Sequence, residues 1–178
     1  MLSNTTVDVY DAQANTWATL TGNANPFWGN TPVSIGNSIY FPGMSNGAGF
    51  SNTLEISTGN SWTSINMQPR SELVAVAADN KIFWAGGYDS CCLIKDIEIA
   101  DLSSGTHSLH RLQDAPGWID VLKTDSKVIF SYLGKSDIYD INTDTWSTCN
   151  RSFAQAIAMV NTVYLVGSDN LQVWQIEL

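Results

Sequence analysis

The chain has 178 residues, of which 44% are apolar and 14% are charged. This composition supplies a hydrophobic core and excludes intrinsic disorder, so we expect one domain spanning residues 1–178. No stretch approaches the roughly 18 consecutive apolar residues of a membrane-spanning helix. The opening residues contain neither the basic segment nor the apolar segment of a secretory signal, and a cytoplasmic location is therefore expected.

The net charge of the chain indicates which classes of partner it is not expected to bind. Lys and Arg number 8 against 17 Asp and Glu, which gives a formal net charge of −9. The few basic residues are scattered along the chain rather than clustered. Because nucleic acids and anionic lipid surfaces are bound through cationic side chains, this composition predicts no nucleic-acid binding and no membrane binding.

Four segments of the chain repeat one pattern, and their last positions lie 45, 45 and 39 residues apart. The segments are residues 11–17, 56–62, 101–107 and 140–146. Each contains a residue that tolerates a left-handed backbone, then a hydroxyl residue, then a large ring. The first of these positions holds Asn15, Asn60, Gly105 and Asp144. The ring position holds Trp17, Trp62, His107 and Trp146. Each segment is therefore predicted to be the turn of a β-hairpin, with the ring at the start of the second strand.

The predicted strands alternate between two kinds of hairpin along the chain. The strands that precede the repeated turns cover residues 7–10, 53–56, 97–99 and 137–139. Between successive copies a second hairpin is predicted, whose first strand is rich in small and β-branched residues, as at 73–77 and 154–158. Its polar turns are residues 36–37, 79–80, 125–126 and 161–162, and its bulkier second strands are 39–41, 82–84, 128–130 and 163–165. No segment has the apolar period of a helix, so helix is expected to be nearly absent.

Two hairpins in each unit of about 40 to 45 residues make a four-stranded antiparallel sheet, which is the blade of a β-propeller. The strand pattern, the ring and the glycines after the bulky strand resemble kelch repeats over essentially the whole chain. The resemblance is strongest at residues 83–88, Phe-Trp-Ala-Gly-Gly-Tyr, and at 139–146. It departs from the family where His107 replaces a tryptophan and where copies lack the double glycine. It implies an all-β fold, a kelch-type propeller of about four blades with four antiparallel strands each.

The way in which such a ring would close stays open. The strand count gives a hairpin at residues 6–20, then three complete four-stranded units, then three strands that end at Leu178. One alternative is a closed ring of four blades completed by both ends of the chain, as often occurs in the kelch family. The other is an arc of a larger propeller, whose open strand edges another copy or another chain would cover. The arc would make the protein a structural subunit and possible homo-oligomer.

Binding residues in a propeller lie on the loops, because the blades serve as packed scaffolds. Aromatic and arginine side chains on loops are typical of protein-binding hot spots. The candidate binding residues are Phe27, Trp28, Phe50, Arg70, Tyr88, Trp118 and Arg151. The alternative for each ring is that it packs beneath its own loop, and Arg70 and Arg151 share one repeat position, which favours a structural role. The sequence predicts a non-catalytic module that presents a loop face to a protein or peptide partner.

No metal site, cofactor or catalytic group is predicted. The segment Asp140-x-Asn142-x-Asp144 begins like a calcium loop, but Thr145 replaces the glycine and Arg151 replaces the bidentate glutamate, which favours a hairpin turn. His107 and His110 lie three apart on a predicted strand and point to opposite faces. The three cysteines lack metal-ligand spacing, and the adjacent Cys91 and Cys92 are not expected to bridge each other.

Overall fold

The structure is a computed structural model that describes residues 5–22, 31–42, 52–59, 61–114, 116–151, 153, 155–159, 162–166 and 173–177. Within these ranges the fold is all-β, built from antiparallel strands without a helix. Accordingly, the described ranges contain no helix with the length and apolar character needed to cross a membrane. The chain divides into two compact units, residues 1–73 with 88–92 and residues 74–87 with 93–178.

The first unit contains a two-stranded hairpin and a four-stranded sheet. The hairpin strands are β1 (Thr5–Asp11) and β2 (Thr16–Gly22). The sheet strands are β3 (Val33–Ile35), β4 (Ser38–Pro42), β5 (Thr53–Thr58) and β6 (Ser61–Asn66). Neighbouring strands in the sheet are also neighbours along the chain.

The second unit contains two four-stranded sheets and one sheet of three strands among the described residues. The first sheet has β7 (Val74–Ala78), β8 (Lys81–Ala85), β9 (Asp96–Asp101) and β10 (Thr106–Arg111). The next has β11 (Asp120–Lys123), β12 (Lys127–Tyr132), β13 (Lys135–Asp140) and β14 (Thr145–Cys149). The last has β15 (Gln155–Met159), β16 (Thr162–Val166) and β17 (Val173–Glu177).

This order confirms the all-β fold and the four-stranded antiparallel sheets that the repeats predicted. Among the described residues, the order also agrees with the predicted strand count, a leading hairpin followed by three four-stranded sheets and three further strands. Several boundaries differ from the prediction by one or two residues: β5 continues to Thr58, β7 covers Val74–Ala78, and β15 covers Gln155–Met159. Thr162 is the first residue of β16 rather than a turn residue. Asn161, the other residue of that predicted turn, lies outside the described residues.

A carboxylate at the end of the first strand closes three of the four repeated turns. The Oδ1 atoms of Asp11, Asp101 and Asp140 each accept hydrogen bonds from the backbone N–H groups two and three residues later, at 2.8 to 3.1 Å. This side-chain acceptor replaces a backbone carbonyl and stabilises the turn. The residues predicted to be left-handed in these turns are so, with φ of 52° at Asn15, 70° at Gly105 and 56° at Asp144.

The second copy of the turn differs from the other three. Ile56 occupies the aspartate position, so no carboxylate is present to accept the backbone N–H groups. Thr58 pairs directly with Ser61, which leaves a two-residue loop, and the left-handed residue is Gly59 at a φ of 60°. Asn60, the residue predicted to be left-handed here, lies outside the described residues.

The core of the second unit is aromatic. Phe83 on β8 is fully buried, and its ring centroid lies 4.9 Å from that of Tyr139 and 6.1 Å from that of Phe130. Trp146 lies 5.9 Å from Phe130, so rings from β8, β12, β13 and β14 form one cluster. These contacts pack the sheet β7–β10 against the sheet β11–β14, and burying such rings dominates the energetics of a small core.

A close contact between backbone and side chain occurs where β8 ends. Gly86 has a φ of 66°, and a Cβ atom placed on it would lie 2.9 Å from Cδ1 of Ile119. Ile119 directly precedes β11, so the first residue of the double glycine fits closely against the connection between the two sheets. The backbone angle favours glycine at this position, and any larger residue would also require the end of the Ile119 side chain to shift.

Candidate functional site

One end of the sheet β11–β14, where its strands begin or finish, carries residues that are far apart in the sequence. Asp120 pairs with Ser131, Ser131 with Ser136, and Ser136 with Cys149. Three residues lie just beyond these paired positions and therefore at the same end of the strands. We call them the edge patch: Trp118, Leu133 and Arg151. Two of them, Trp118 and Arg151, were predicted from the sequence as binding candidates.

The edge patch exposes two large apolar side chains. Trp118 is 77% exposed and Leu133 is 65% exposed, and Arg151 is also exposed. Exposed apolar side chains that share one end of a sheet are typical of a surface that a partner covers. Tryptophan and arginine are also the residues most enriched where binding energy concentrates.

Leu133 occupies a backbone conformation that disfavours leucine. Tyr132 pairs with Lys135, which leaves Leu133 and Gly134 as a two-residue loop with φ values of 42° and 79°. Both residues are left-handed, as in the tight hairpin turns that usually contain Asn-Gly. A left-handed residue with a side chain such as leucine costs about 1 to 2 kcal/mol. The fold therefore keeps an apolar side chain at the tip of the loop although the left-handed backbone there disfavours leucine.

Side-chain contacts fix the loops that carry the edge patch. Lys135 Nζ donates to Asp114 Oδ2 at 2.8 Å and to Gln113 Oε1 at 3.0 Å, which ties the Leu133 turn to the connection that carries Trp118. The hydrogen bond from Lys135, together with its charge, lowers the pKa of Asp114 below its ordinary value. Ser136 Oγ donates to the carbonyl oxygen of Arg151 at 2.7 Å. The three segments are thus held in a defined arrangement.

A buried ionisable pair lies between β10 and β13. His110 Nε2 is 3.0 Å from Asp137 Oδ2, and the imidazole stacks on Trp146 with ring centroids 3.8 Å apart and planes 6° apart. The Asp137 side chain is almost fully buried. Burial and the nearby Asp137 carboxylate raise the pKa of Tyr132 to about 12. The His110–Asp137 pair braces β10 against β13. No local sequence pattern indicates this pair, because its members belong to different repeats.

The other predicted binding residues differ in whether the structure leaves them exposed. Arg70 is 0% exposed and its Nη2 donates to Gln68 Oε1 at 2.8 Å, so its side chain is buried, which agrees with the structural alternative rather than with a binding contact. Its neighbours Gln68 and Pro69 are exposed, so the Arg70 side chain alone turns inward. Tyr88 is exposed, and its hydroxyl donates to Glu72 Oε1 at 3.0 Å. Phe27, Trp28 and Phe50 lie outside the described residues.

The segment that begins like a calcium loop forms the predicted hairpin turn. Besides the two backbone N–H groups, the Asp140 carboxylate accepts a hydrogen bond from Lys127 Nζ at 2.7 Å. Asp144 Oδ1 accepts from Lys81 Nζ at 2.7 Å and from the Tyr139 hydroxyl. These donors and the bound lysines occupy the oxygens that a calcium loop would turn towards a cation.

The two histidines of β10 point to opposite faces, as predicted. His107 Nδ1 lies 3.5 Å from Glu98 Oε1, and its ring meets that of Trp84 edge-on at 6.2 Å. His110 instead contacts Trp146 and Asp137. The two rings therefore have different neighbours and do not converge on one ion.

Comparisons with known proteins add no family to these observations. No family model matches the chain, and no curated protein matches it. The kelch resemblance therefore stays a prediction, and the edge patch is the feature from which a function can be proposed.

Proposed function

We propose that this protein is a kelch-like propeller, closed or an arc, that binds a protein or peptide through the edge patch without catalysing a reaction. The observation that carries the proposal is Leu133, which is exposed although its left-handed backbone disfavours it. Strain that persists at an exposed loop tip is more often associated with function than with stability. A turn selected for stability alone would place asparagine there.

The chemistry of the edge patch indicates what the partner supplies. Trp118 and Leu133 offer apolar surface, and Arg151 adds a cationic group at the same end of the sheet. A peptide that places a bulky apolar side chain against these two residues would bury them both. Truncation of a central aromatic contact costs about 2 kcal/mol or more of binding energy, which corresponds to roughly thirtyfold in affinity.

The proposal is tested with peptides selected from a displayed random library on the immobilised full chain. We expect the selected peptides to share a bulky apolar residue and to bind with a Kd measurable by calorimetry. Replacing Leu133→Asn should weaken binding by about tenfold or more, because it removes apolar contact area. The same substitution should stabilise the fold by about 1 kcal/mol, because asparagine tolerates the left-handed conformation.

A matched control separates the edge patch from exposed apolar residues in general. Leu109 on β10 is 56% exposed, and Leu109→Asn should leave peptide affinity unchanged. The proposal fails if Leu133→Asn and Trp118→Ala bind the selected peptides as tightly as the original chain. It also fails if the library yields no peptides that bind above the background of an unrelated protein.

A second candidate function is assembly through the first hairpin. Tyr10 and Trp17 pair across β1 and β2 with ring centroids 5.0 Å apart, and Trp17 is 71% exposed. A two-stranded hairpin is marginally stable alone, and exposed rings on it favour docking of a second copy of this chain. Light scattering over a range of concentrations would show a dimer that Trp17→Ala dissociates. A constant monomer mass would exclude this function.

A further inference from the structure

The turn at residues 89–92 has an unusually constrained backbone for an exposed loop. At its base, Tyr88 and Ser71 exchange two backbone hydrogen bonds of 3.0 and 3.1 Å. Within the turn, Asp89 N donates to the carbonyl oxygen of Cys92 at 3.0 Å. Asp89 Oδ1 accepts from the backbone N–H groups of Cys91 and Cys92, both at 2.9 Å. The turn therefore presents its side chains from a preorganised scaffold.

Three potential metal ligands converge on this turn. A carboxylate oxygen of Asp89 and the Sγ atoms of Cys91 and Cys92 all lie within 4.8 Å of one another. Both thiols are free and exposed, so an ion can reach them from solvent. Zinc binds thiolate sulfur at about 2.3 Å and carboxylate oxygen at about 2.0 to 2.2 Å in a tetrahedron, which places its ligand atoms roughly 3.5 to 3.8 Å apart. We expect side-chain rotation on binding to bring the three donor atoms to that spacing.

We propose that Asp89, Cys91 and Cys92 bind one thiophilic divalent cation, with Zn²⁺ the best match, and that a water or a partner's side chain supplies the fourth ligand. Three protein ligands with one open position are a recurrent arrangement for zinc. Sequence spacing alone predicted no such site, because the three cysteines do not follow a known metal-ligand spacing. The structure instead brings the carboxylate of Asp89 towards the two thiols.

The ligand chemistry selects the class of cation. Two sulfur donors favour soft or borderline ions, whereas calcium and magnesium take oxygen ligands. The ionised donors also repel one another, because the Asp89 carboxylate and the two thiolates all carry negative charge. A bound cation reverses that electrostatic penalty by displacing the thiol proton.

The experiment titrates Zn²⁺ alone into the reduced full chain and follows heat release in competition with a chelator of known affinity. We expect one ion per chain. Co²⁺ serves as a second probe, because cobalt bound to two thiolates gives an intense charge-transfer absorption that oxygen ligands do not give. Cys91→Ser and Cys92→Ser should each weaken Zn²⁺ binding by at least roughly tenfold and remove most of the Co²⁺ absorption.

Two further variants define the site. Asp89→Asn keeps a side-chain oxygen for the backbone N–H groups of the turn but removes the charge, so it should weaken Zn²⁺ binding while thermal unfolding stays unchanged. Cys149→Ser removes the third cysteine, which lies at the end of β14, and should leave both probes unaffected. Because Cys91 and Cys92 are exposed, their serine variants are expected to fold, and thermal unfolding confirms it.

Three results would overturn the proposal. The first is Zn²⁺ binding that Cys91→Ser and Cys92→Ser leave intact. The second is an equal loss of binding in Cys149→Ser, which would show that the ion is held elsewhere or non-specifically. The third is the absence of stoichiometric Zn²⁺ binding to the reduced chain, including the case in which Cys91 and Cys92 are recovered as a disulfide that reductant does not open.

Discussion

Two tyrosine–tryptophan pairs occupy the same position in the repeat but have different surroundings. Tyr10 pairs with Trp17 across β1 and β2, and Tyr139 pairs with Trp146 across β13 and β14. The two pairs have similar local geometry, with ring centroids 5.0 and 5.2 Å apart. Tyr10 is nevertheless 47% exposed, whereas Tyr139 is 3% exposed.

The difference comes from the neighbouring sheet and not from the hairpin itself. In the second unit, Phe83 and His110 of the sheet β7–β10 contact the rings of Tyr139 and Trp146. Lys81 of the same sheet donates hydrogen bonds to Tyr139 and Asp144. The repeat therefore determines the turn and the pairing of the rings, and contact with another sheet determines how much the pair stabilises the protein.

The largest expected effect is that of truncating the two tryptophans. Trp146→Ala should reduce the free energy of unfolding by about 3 kcal/mol, because its ring packs against Phe83, Phe130 and His110. Trp17→Ala should change it by less than about 0.5 kcal/mol, as for an exposed residue. Urea unfolding followed by circular dichroism measures both. Equal losses would contradict the comparison.

The next largest effect concerns His110, which pairs with the buried Asp137. His110→Leu should cost about 2 kcal/mol, because it leaves the buried Asp137 carboxylate without its partner. Replacing Asp137→Leu as well should recover part of that loss, since the unpaired charge is removed. A double-mutant cycle on unfolding free energies measures the coupling. Additive losses in the two single variants would show that the pair does not brace the sheets.

A smaller effect is expected at the turn residue. Asp144→Asn places at this position the residue type that Asn15 supplies in the first hairpin, and asparagine keeps the left-handed conformation. Since the carboxylate of Asp144 is largely exposed, loss of its ion pair with Lys81 should cost only about 0.5 kcal/mol. High salt should reduce the difference in unfolding free energy between Asp144→Asn and the original chain. A loss that persists unchanged in salt would contradict an ionic origin.

The smallest effect is a pH dependence at the aspartates that close the turns. Hydrogen bonds from Lys127 and Thr143 lower the pKa of Asp140 from 3.8 to about 2. The unfolded chain therefore takes up this proton first as the pH falls, so the stabilisation is present above pH 3.8 and is lost towards pH 2. Asp140→Asn should flatten the decline of unfolding free energy in this window, as measured by urea unfolding at several pH values. An unchanged slope would contradict the assignment.

The sequence predicted the hairpins and their order because the signals are local. Left-handed turn residues such as Asn15 and Gly105 and the alternation of strand residues act within a few positions of themselves. The two-residue turn at Gly59 also has a local cause, the absence of an aspartate at Ile56, but the alignment of copies concealed it.

The candidate site was only partly predictable, because its features depend on contacts between distant segments. Trp118 and Arg151 could be chosen as loop residues, but only the strand register places them at one end of the sheet. The burial of Arg70 depends on tertiary packing, which no local sequence pattern indicates. For Leu133 a local signal was present but missed. Leu133 directly precedes Gly134 in a two-residue turn, and such a short turn needs two left-handed residues.

The backbone angle at Gly86 and its contact with Ile119 together make this position less tolerant of substitution than a glycine in an open turn. An alanine there meets two separate obstacles, the backbone angle and the Cδ1 atom of Ile119 at 2.9 Å. Shortening Ile119 to valine deletes that atom but leaves the angle as it was, so no second-site substitution at Ile119 can fully compensate. Gly134 has an equally left-handed backbone with open space around it, so it presents the first obstacle alone. Random mutagenesis should therefore recover variants at Gly134 far more readily than at Gly86.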